Sequence, residues 1–276
     1  MEVLYSLLVL GIISILCAVL LTLSSKYFGV KEDERMLAVR ECLPGANCGA
    51  CGFSGCDAYA KALSEGATDN PSLCIPGGDG VAREVAGIMG LVASDVVEQV
   101  AYVACNGACL PEERKYEYAG PRSCAAARLT YAGDRACTFA CLGYGDCMKV
   151  CPRDAICINP DKHIAEIDPR KCIGCGLCAS ECPSGIIHLV ADTSRIVVKC
   201  SSHNKGAQVR NVCKNGCIAC GKCQKVCPEG AITVVDNLAT VDYSKCTGCG
   251  SCYDACPVKC IHVGDFICGA HFEHIR

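Results

Sequence analysis

Tryptophan is absent from this chain of 276 residues, and phenylalanine occurs only five times. Large aromatic anchors are therefore scarce, and something other than bulky side chains must fill the cores. The formal charge of −3 argues against a nucleic-acid binder held by bulk positive charge. No G-x-G-x-x-G follows a strand-like stretch and no P-loop occurs, so no nucleotide cradle is expected. The Gly77–Gly80 loop reads as a turn beside Cys74. No acid–base pair stands out among the scattered histidines. The tail position of His271 and His274 argues against a metal site there. No catalytic residue of its own is expected. Long apolar runs are missing too, with one exception at the N-terminus.

What is present in excess is cysteine, 30 residues or roughly one in nine. Such a fraction means a disulfide framework or a metalloprotein. The chain is too long for a disulfide-stapled mini-domain, and its length suggests about two domains.

The exceptional apolar run extends from Val3 to Ser25 without a charge, long enough to span a bilayer with some tilt. Glu2 precedes it; Lys26, Lys31, Arg35 and Arg40 follow it. The positive-inside bias puts the N-terminus outside and the remainder in the cytoplasm, on a single-pass membrane anchor. A cleaved signal peptide would need a basic start and a shorter run. Cys17 within this helix reads as a small packed side chain.

The expected fold is α+β, in seven zones: a transmembrane anchor (1–25), a linker (26–40), a small Cys/Gly-rich helical module (41–80), a helical connector (81–130), a first ferredoxin-like domain (131–192), a basic connector (193–212), and a second ferredoxin-like domain with a tail (213–276). A helix is expected at Asp57–Leu63, and helix-forming composition extends over 81–104. Strands are expected at Ile164–Ile167 and Ile232–Val235. The two ferredoxin-like domains form an internal repeat. CPRDAICI aligns with CPEGAITV, so that Cys151 matches Cys227 and Cys172 matches Cys246 across a short indel. Each unit is too small to bury a core of its own, which fits a fold organised by metal sites.

The strongest motif is C-x2-C-x2-C-x3-C-P. It occurs at Cys172, Cys175, Cys178, Cys182; at Cys217, Cys220, Cys223, Cys227; and at Cys246, Cys249, Cys252, Cys256. This is the bacterial run for a 4Fe–4S cube, whose fourth Cys ligates the neighbouring cluster. Zinc sites instead use two Cys pairs far apart. Glycines between the ligands let the backbone approach the sulfides. A fourth run, Cys137, Cys141, Cys147, Cys151, keeps the C-P end with looser spacing. Cross-ligation then predicts the sets Cys137, Cys141, Cys147, Cys182; Cys172, Cys175, Cys178, Cys151; Cys217, Cys220, Cys223, Cys256; and Cys246, Cys249, Cys252, Cys227.

Nearer the N-terminus, Cys48-x2-Cys51-x4-Cys56-x17-Cys74 suits a fifth cube, with zinc as the rival. Cys42 reads as a non-ligand. Cys105, Cys124, Cys200 and Cys213 flank the two pairs and define a possible sixth site, the alternative being buried free thiols. Cys109, Cys157, Cys260 and Cys268 have no assigned role.

The anchor, the CGACGFSGC…C module and the tandem ferredoxin runs resemble the B-type subunit of the Rnf complexes, the ion-translocating ferredoxin:NAD oxidoreductases, over nearly the whole chain. VACNGAC, KYEYAGPRSC and CLGYGDC look like the longer, polyferredoxin-type members. The resemblance implies an electron relay. It takes electrons from reduced soluble ferredoxin and passes them to membrane-embedded partner subunits, while NAD is reduced on a flavin-bearing partner and Na⁺ or H⁺ is moved. Five 4Fe–4S clusters are expected and six are possible; with five, the net charge becomes roughly −13. Against that total, Arg195, Lys199, Lys205, Arg210, Lys214, Lys222 and Lys225 form an acid-free stretch, 195–225, that suits an acidic ferredoxin or simply offsets cluster charge. The iron–sulfur subunit of another membrane oxidoreductase, of hydrogenase or formate dehydrogenase type, is the alternative reading.

Overall fold

The computed structural model describes residues 2–28, 33–107, 114–194 and 196–264. Cys109, Arg195, Cys268, His271 and His274 lie outside them.

Helix α1 (Glu2–Phe28) runs 27 residues, about 40 Å at the α-helical rise. It contains no proline, and its leucines and isoleucines sustain it. Leu10, Ile15, Leu20 and Leu21 are exposed, and so is Cys17, which was expected to be packed. Side chains of α1 are described only for Tyr5 and residues 10–24. Among the described residues no helix is long and apolar enough to cross a membrane.

The first globular unit is helical. Helix α2 (Glu34–Cys42) is capped by Asp33, whose carboxylate accepts from the Arg35 N–H at 3.0 Å. Helix α3 occupies Cys56–Ser64, one residue longer at each end than expected. A 3₁₀ turn (Ile75–Gly77) leads into α4 (Gly78–Met89), which ends on left-handed Gly90. Val39, Leu43, Tyr59, Leu63 and Val85 pack with Cys56 and Cys74 into one core.

The expected helical reading of 81–104 holds only for its first half. Residues Gln99–Val103 form strand β1 instead. QVAYV carries β-branched and aromatic side chains, and pairing decides its state. The strand joins β4 (Ile187–Ala191) antiparallel, with Gln99 opposite Ala191 and Val103 opposite Ile187. Between them lie α5 (Cys124–Leu129), α6 (Asp146–Lys149), the hairpin β2 (Ile156–Ile158) and β3 (Ala165–Ile167), and α7 (Leu177–Glu181).

The second unit repeats the plan. Strand β5 (Ile196–Val198), from the zone expected as a connector, pairs with β8 (Ile261–Val263). It encloses α8 (Gly206–Val212), α9 (Lys222–Val226), the hairpin β6 (Ile232–Val235) and β7 (Leu238–Val241), and α10 (Ser251–Ala255). Each unit is thus closed by a strand that precedes its first cysteine run.

One device recurs four times. The short helices α6, α7, α9 and α10 each start after a glycine with φ between +68° and +83° (Gly145, Gly176, Gly221, Gly250). The left-handed residue turns the chain sharply, so that the next cysteine points back into the unit.

Gly174, at φ +63°, is tighter still, because an added Cβ would lie 2.5 Å from the backbone oxygen of Gln99 in β1. Gly174→Ala should therefore cost roughly 2–3 kcal/mol, from the left-handed backbone plus overpacking. Anaerobic denaturant unfolding of the metal-loaded protein checks this, and a cost below about 0.5 kcal/mol would refute it.

Candidate metal centres

In the helical module, Cys48 and Cys51 sit on the loop before α3, Cys56 starts α3, and Cys74 precedes the 3₁₀ turn. The Asn47 side-chain oxygen accepts the Cys56 N–H at 2.9 Å and pins the loop to the helix. Burial pushes the Cys74 thiol up to about 11, and Cys56, Cys48 and Cys51 surround it closely enough to add to the rise.

In the first ferredoxin-like unit, Cys151, Cys172, Cys175 and Cys178 line one small cavity of about 20 Å³. Backbone N–H groups aim at its sulfurs: Ala155 donates to Cys151 and Ala101 of β1 donates to Cys172, each at 3.4 Å. Burial drives Cys178 up to about 12, with Cys172, Cys175 and Cys151 as its charged neighbours.

The other cavity of this unit, also about 20 Å³, departs from expectation. Cys141, Cys147 and Cys182 line it as expected, but the fourth thiol is Cys124 and not Cys137. An acidic clamp explains the placement. Asp146, at the head of α6 beside Cys147, accepts from the Ser123 hydroxyl at 2.7 Å and from the Ala125 N–H at 3.0 Å. These donors flank Cys124 at the start of α5. The hydrogen bonds hold Asp146 below the usual carboxylate range against the opposing effect of burial. Cys137 lies elsewhere, packed with Ala140 against Cys105, Phe139, Val212 and Cys213. The expected set Cys105, Cys124, Cys200, Cys213 is likewise not brought together as such, since Cys124 and Cys137 have exchanged places.

In the second unit, Cys227, Cys246, Cys249 and Cys252 line a third small cavity of about 20 Å³. Ala231 donates its N–H to Cys227 at 3.3 Å, matching Ala155 and Cys151 across the repeat. Cys217, Cys220, Cys223 and Cys256 also converge, and burial pushes Cys223 up to about 11 among the other three. Sequence reasoning missed a fifth thiol here. Cys260 is 2% exposed and lies 3.6 Å from the Cys256 sulfur. Its hydrogen bonds pull the Cys256 and Cys217 thiols down and push its own up. The available signal was the repeat, which aligns Cys260 with the fully buried Ile186.

Cys42 packs at the edge of the module core. Cys157 is half-buried in β2.

This chemistry suits a cube better than a single ion. A tetrahedral zinc draws its sulfurs to roughly 3.8 Å from one another, given its Zn–S length. Among the described residues, no group of three or more His, Cys, Asp or Glu is gathered so as to hold one metal ion. Three of the quartets line cavities, and N–H donors are directed at Cys141, Cys151, Cys172 and Cys227, as cluster sulfurs require.

The raised thiols set a pH dependence. Cys141 and Cys147 are driven to about 12 by burial, so at neutral pH both are protonated in the metal-free fold. Iron takes thiolates, so loading must expel these protons. Loading at fixed iron and sulfide should therefore strengthen from about pH 6.5 to about 8.5, with protons released. Anaerobic titration in weak buffer checks the sign, and pH-independent loading would refute it.

Residues 43–76 match the family described as "Putative Fe-S cluster". Residues 135–186, 171–231 and 207–263 each match a family described as "4Fe-4S dicluster domain". The chain is 42% identical over 237 residues to the B-type subunit of the Na(+)-translocating ferredoxin:NAD(+) oxidoreductase complex of Acetobacterium woodii, covering 86% of this chain and 71% of that one. It is 39% identical to the B-type subunit of the proton-translocating ferredoxin:NAD(+) oxidoreductase complex of Clostridium ljungdahlii, covering 86% and 84%. It is 36% identical to the B-type subunit of the ion-translocating oxidoreductase complex of Methanosarcina acetivorans, covering 82% and 85%. With its cysteine modules in the chain order the motifs require, and with identities of this size over most of its length, the chain belongs to the family of B-type subunits of the ion-translocating ferredoxin:NAD(+) oxidoreductase complexes.

Proposed function

We propose that the chain is the electron-relay subunit of a membrane-bound, redox-driven ion-translocating complex. It accepts electrons from reduced ferredoxin and hands them through 4Fe–4S clusters to membrane subunits and ultimately to NAD on another subunit. The observation that carries the reading is the gathering of thiols into quartets, three of which each line one cavity. Cys48, Cys51, Cys56 and Cys74 would hold one cube. Cys124, Cys141, Cys147 and Cys182 would hold the second, and Cys151, Cys172, Cys175 and Cys178 the third. Cys217, Cys220, Cys223 and Cys256 would hold the fourth, and Cys227, Cys246, Cys249 and Cys252 the fifth. A bound cube supplies one-electron chemistry at low potential. The chain's own part is to fix each cube, exclude water and direct N–H groups at the sulfurs.

Helix α1 serves as a single-pass anchor with the cysteine-rich units on the cytoplasmic side. Its support is the uncharged stretch Val3–Ser25 and the basic residues that follow it.

Ferredoxin docks on the second unit. Lys205, Arg210, Lys214, Lys222 and Lys225 lie on its surface, and Cys220, between them, is exposed. Lys199, from the same acid-free stretch, is half-buried, and that burial pulls its ammonium down. Reversing Lys222 and Lys225 to Glu should slow reduction of the complex by ferredoxin roughly tenfold at low salt, with the difference vanishing at high salt. Stopped-flow bleaching under anaerobic conditions reads this. Equal rates at low salt would remove the docking site, and a colourless, iron-free but folded protein would remove the relay itself.

A further inference from the structure

Between Val103 of β1 and Cys137 the first ferredoxin-like unit carries 33 residues; between Val198 of β5 and Cys217 the second carries 18. Part of the excess is a turn after α5, Thr130 to Gly133, built against the backbone's preference. Tyr131, Ala132 and Gly133 take φ of +46°, +60° and +94° in succession. A left-handed Tyr is an outlier that its surroundings must enforce. Here they do, because side chains occupy every carbonyl of the turn. The Tyr116 hydroxyl donates to the Thr130 oxygen, and the Arg128 guanidinium donates to the Ala132 oxygen at 3.2 Å. The Lys115 ammonium donates to the Tyr131 and Gly133 oxygens, at 3.0 and 3.1 Å. The Tyr116 and Tyr131 rings meet edge-on at 6.3 Å.

What this frame holds out is apolar. Leu129 is 89% exposed and Tyr131 is 83% exposed. Ala125, one helical turn before Leu129, is exposed as well. The Asp146 clamp acts on Ser123, at the other end of α5, and does not require this tip. The charge around the tip is basic. Lys115 and Arg122 are exposed and Arg128 is half-buried, while Glu117 is the one acidic residue of the stretch 114–133. Two large side chains are too few for a stable protein interface, which needs about 1,000 Å². They suffice for a contact whose other half is already held. Five residues separate α1 from α2, so the start of α2 lies within about 20 Å of the end of α1. A second, weak contact made by a tethered chain acts at high effective concentration. A bilayer surface takes leucine at the acyl boundary, tyrosine among the headgroups, and lysine and arginine against anionic lipid.

We infer that the Leu129–Tyr131 tip inserts into the anionic bilayer surface and lays the first ferredoxin-like unit on the membrane. This rests on the reading of α1 as an anchor and adds to it a second contact. One attachment point leaves the unit free to swing about its tether; two fix which of its faces is turned to the lipid. The strained turn then has a purpose, since a rigid tip gives up little conformational freedom when it is inserted.

The chain has no Trp, so Tyr131→Trp supplies a sole fluorescent reporter and keeps an aromatic ring in place. The full iron-loaded chain is reconstituted anaerobically into phosphatidylcholine vesicles with and without phosphatidylglycerol, their acyl chains either plain or brominated near the headgroup. Val235→Trp, on the exposed β6–β7 hairpin of the second unit, is the control. In anionic vesicles bromine should quench the Tyr131→Trp emission roughly twofold and leave the control unchanged. Adding Leu129→Glu to Tyr131→Trp should abolish the quenching, and neutral vesicles or high salt should weaken it. Flotation of the vesicles after an alkaline wash reads the anchor separately. A chain that floats but is quenched no more than the control overturns the membrane contact and leaves the anchor standing. A chain that does not float overturns both. Emission that shifts to the blue only in the assembled complex, without bromine quenching, assigns the tip to a partner subunit and overturns the lipid contact. Should Tyr131→Trp lose iron, Leu129→Trp gives the same readings.

Discussion

Stripping the iron under reducing conditions is expected to unfold both ferredoxin-like units. Their backbone pairing is meagre: four two-stranded sheets among the described residues, each of three to five residue pairs. A two-stranded hairpin is marginal in water even when well formed. The side-chain core does not make up the deficit. Of the ten buried residues in the second unit's core, five are Cys217, Cys223, Cys252, Cys256 and Cys260. A thiol buries little apolar surface, so that core is held by whatever the sulfurs bind. Structural metal sites of comparable size contribute roughly 10–16 kcal/mol, as much as the whole stability of an ordinary domain. Chelation with thiols kept reduced should therefore abolish strand signal and cooperative melting in residues 99–263. Helix α1, with its own continuous hydrogen-bond ladder, should survive. A metal-free chain that still melts cooperatively with native strand content would refute this.

How much of this was readable beforehand follows from where each cysteine's partners lie. In the three regular runs, three thiolates sit within seven residues, so spacing alone names the set, and the structure keeps Cys172, Cys175 and Cys178 around one cavity. The irregular run behaves differently. Cys137 stands close in sequence to Cys141 and looks like its companion, but Cys124 is brought in from farther away by the Asp146 clamp on Ser123 and Ala125. Nothing in local spacing encodes that clamp. Strands β1 and β5 were hidden for a related reason. Each is five residues or fewer, and its partner lies on the far side of all the cysteine runs of its unit. Pairing of that range overrides the helical composition of 81–104. Cys260 was legible in principle, because it replaces an isoleucine of the repeat at a position that is buried in both units.

Replacing Asp134 by Ala is expected to cost roughly 1–3 kcal/mol, the cost of leaving its hydrogen-bonded partners without their acceptor, since Arg114 keeps 35% of its side chain exposed and can turn to water. Asp134 is fully buried, and one oxygen accepts from Arg114 at 2.5 Å and from the Tyr144 hydroxyl at 3.1 Å. Its backbone oxygen accepts the Lys115 N–H at 2.8 Å. Next to it, Arg135 is 2% exposed and donates to the His163 oxygen at 2.8 Å. The second Asp134 oxygen and the Arg135 Nε have no hydrogen-bond partner, so the network has no spare contact to absorb a loss. Without the carboxylate, Arg114 and Tyr144 lose their acceptor, and the positive charge of Arg135 stays in the interior with less to balance it. The damage should be local before it is global. This hub folds residues 114–142 back on themselves, and that segment delivers Cys124 and Cys141 to one proposed quartet. Asp134→Ala should therefore shed iron from that quartet first, while the module and the second unit keep theirs. Asp134→Asn, which preserves an acceptor oxygen and loses only the charge, should cost about half as much. Anaerobic denaturant unfolding together with iron per chain reads both variants. A penalty below about 1 kcal/mol, or iron lost evenly from all sites, would show that the segment is held by its cysteines alone.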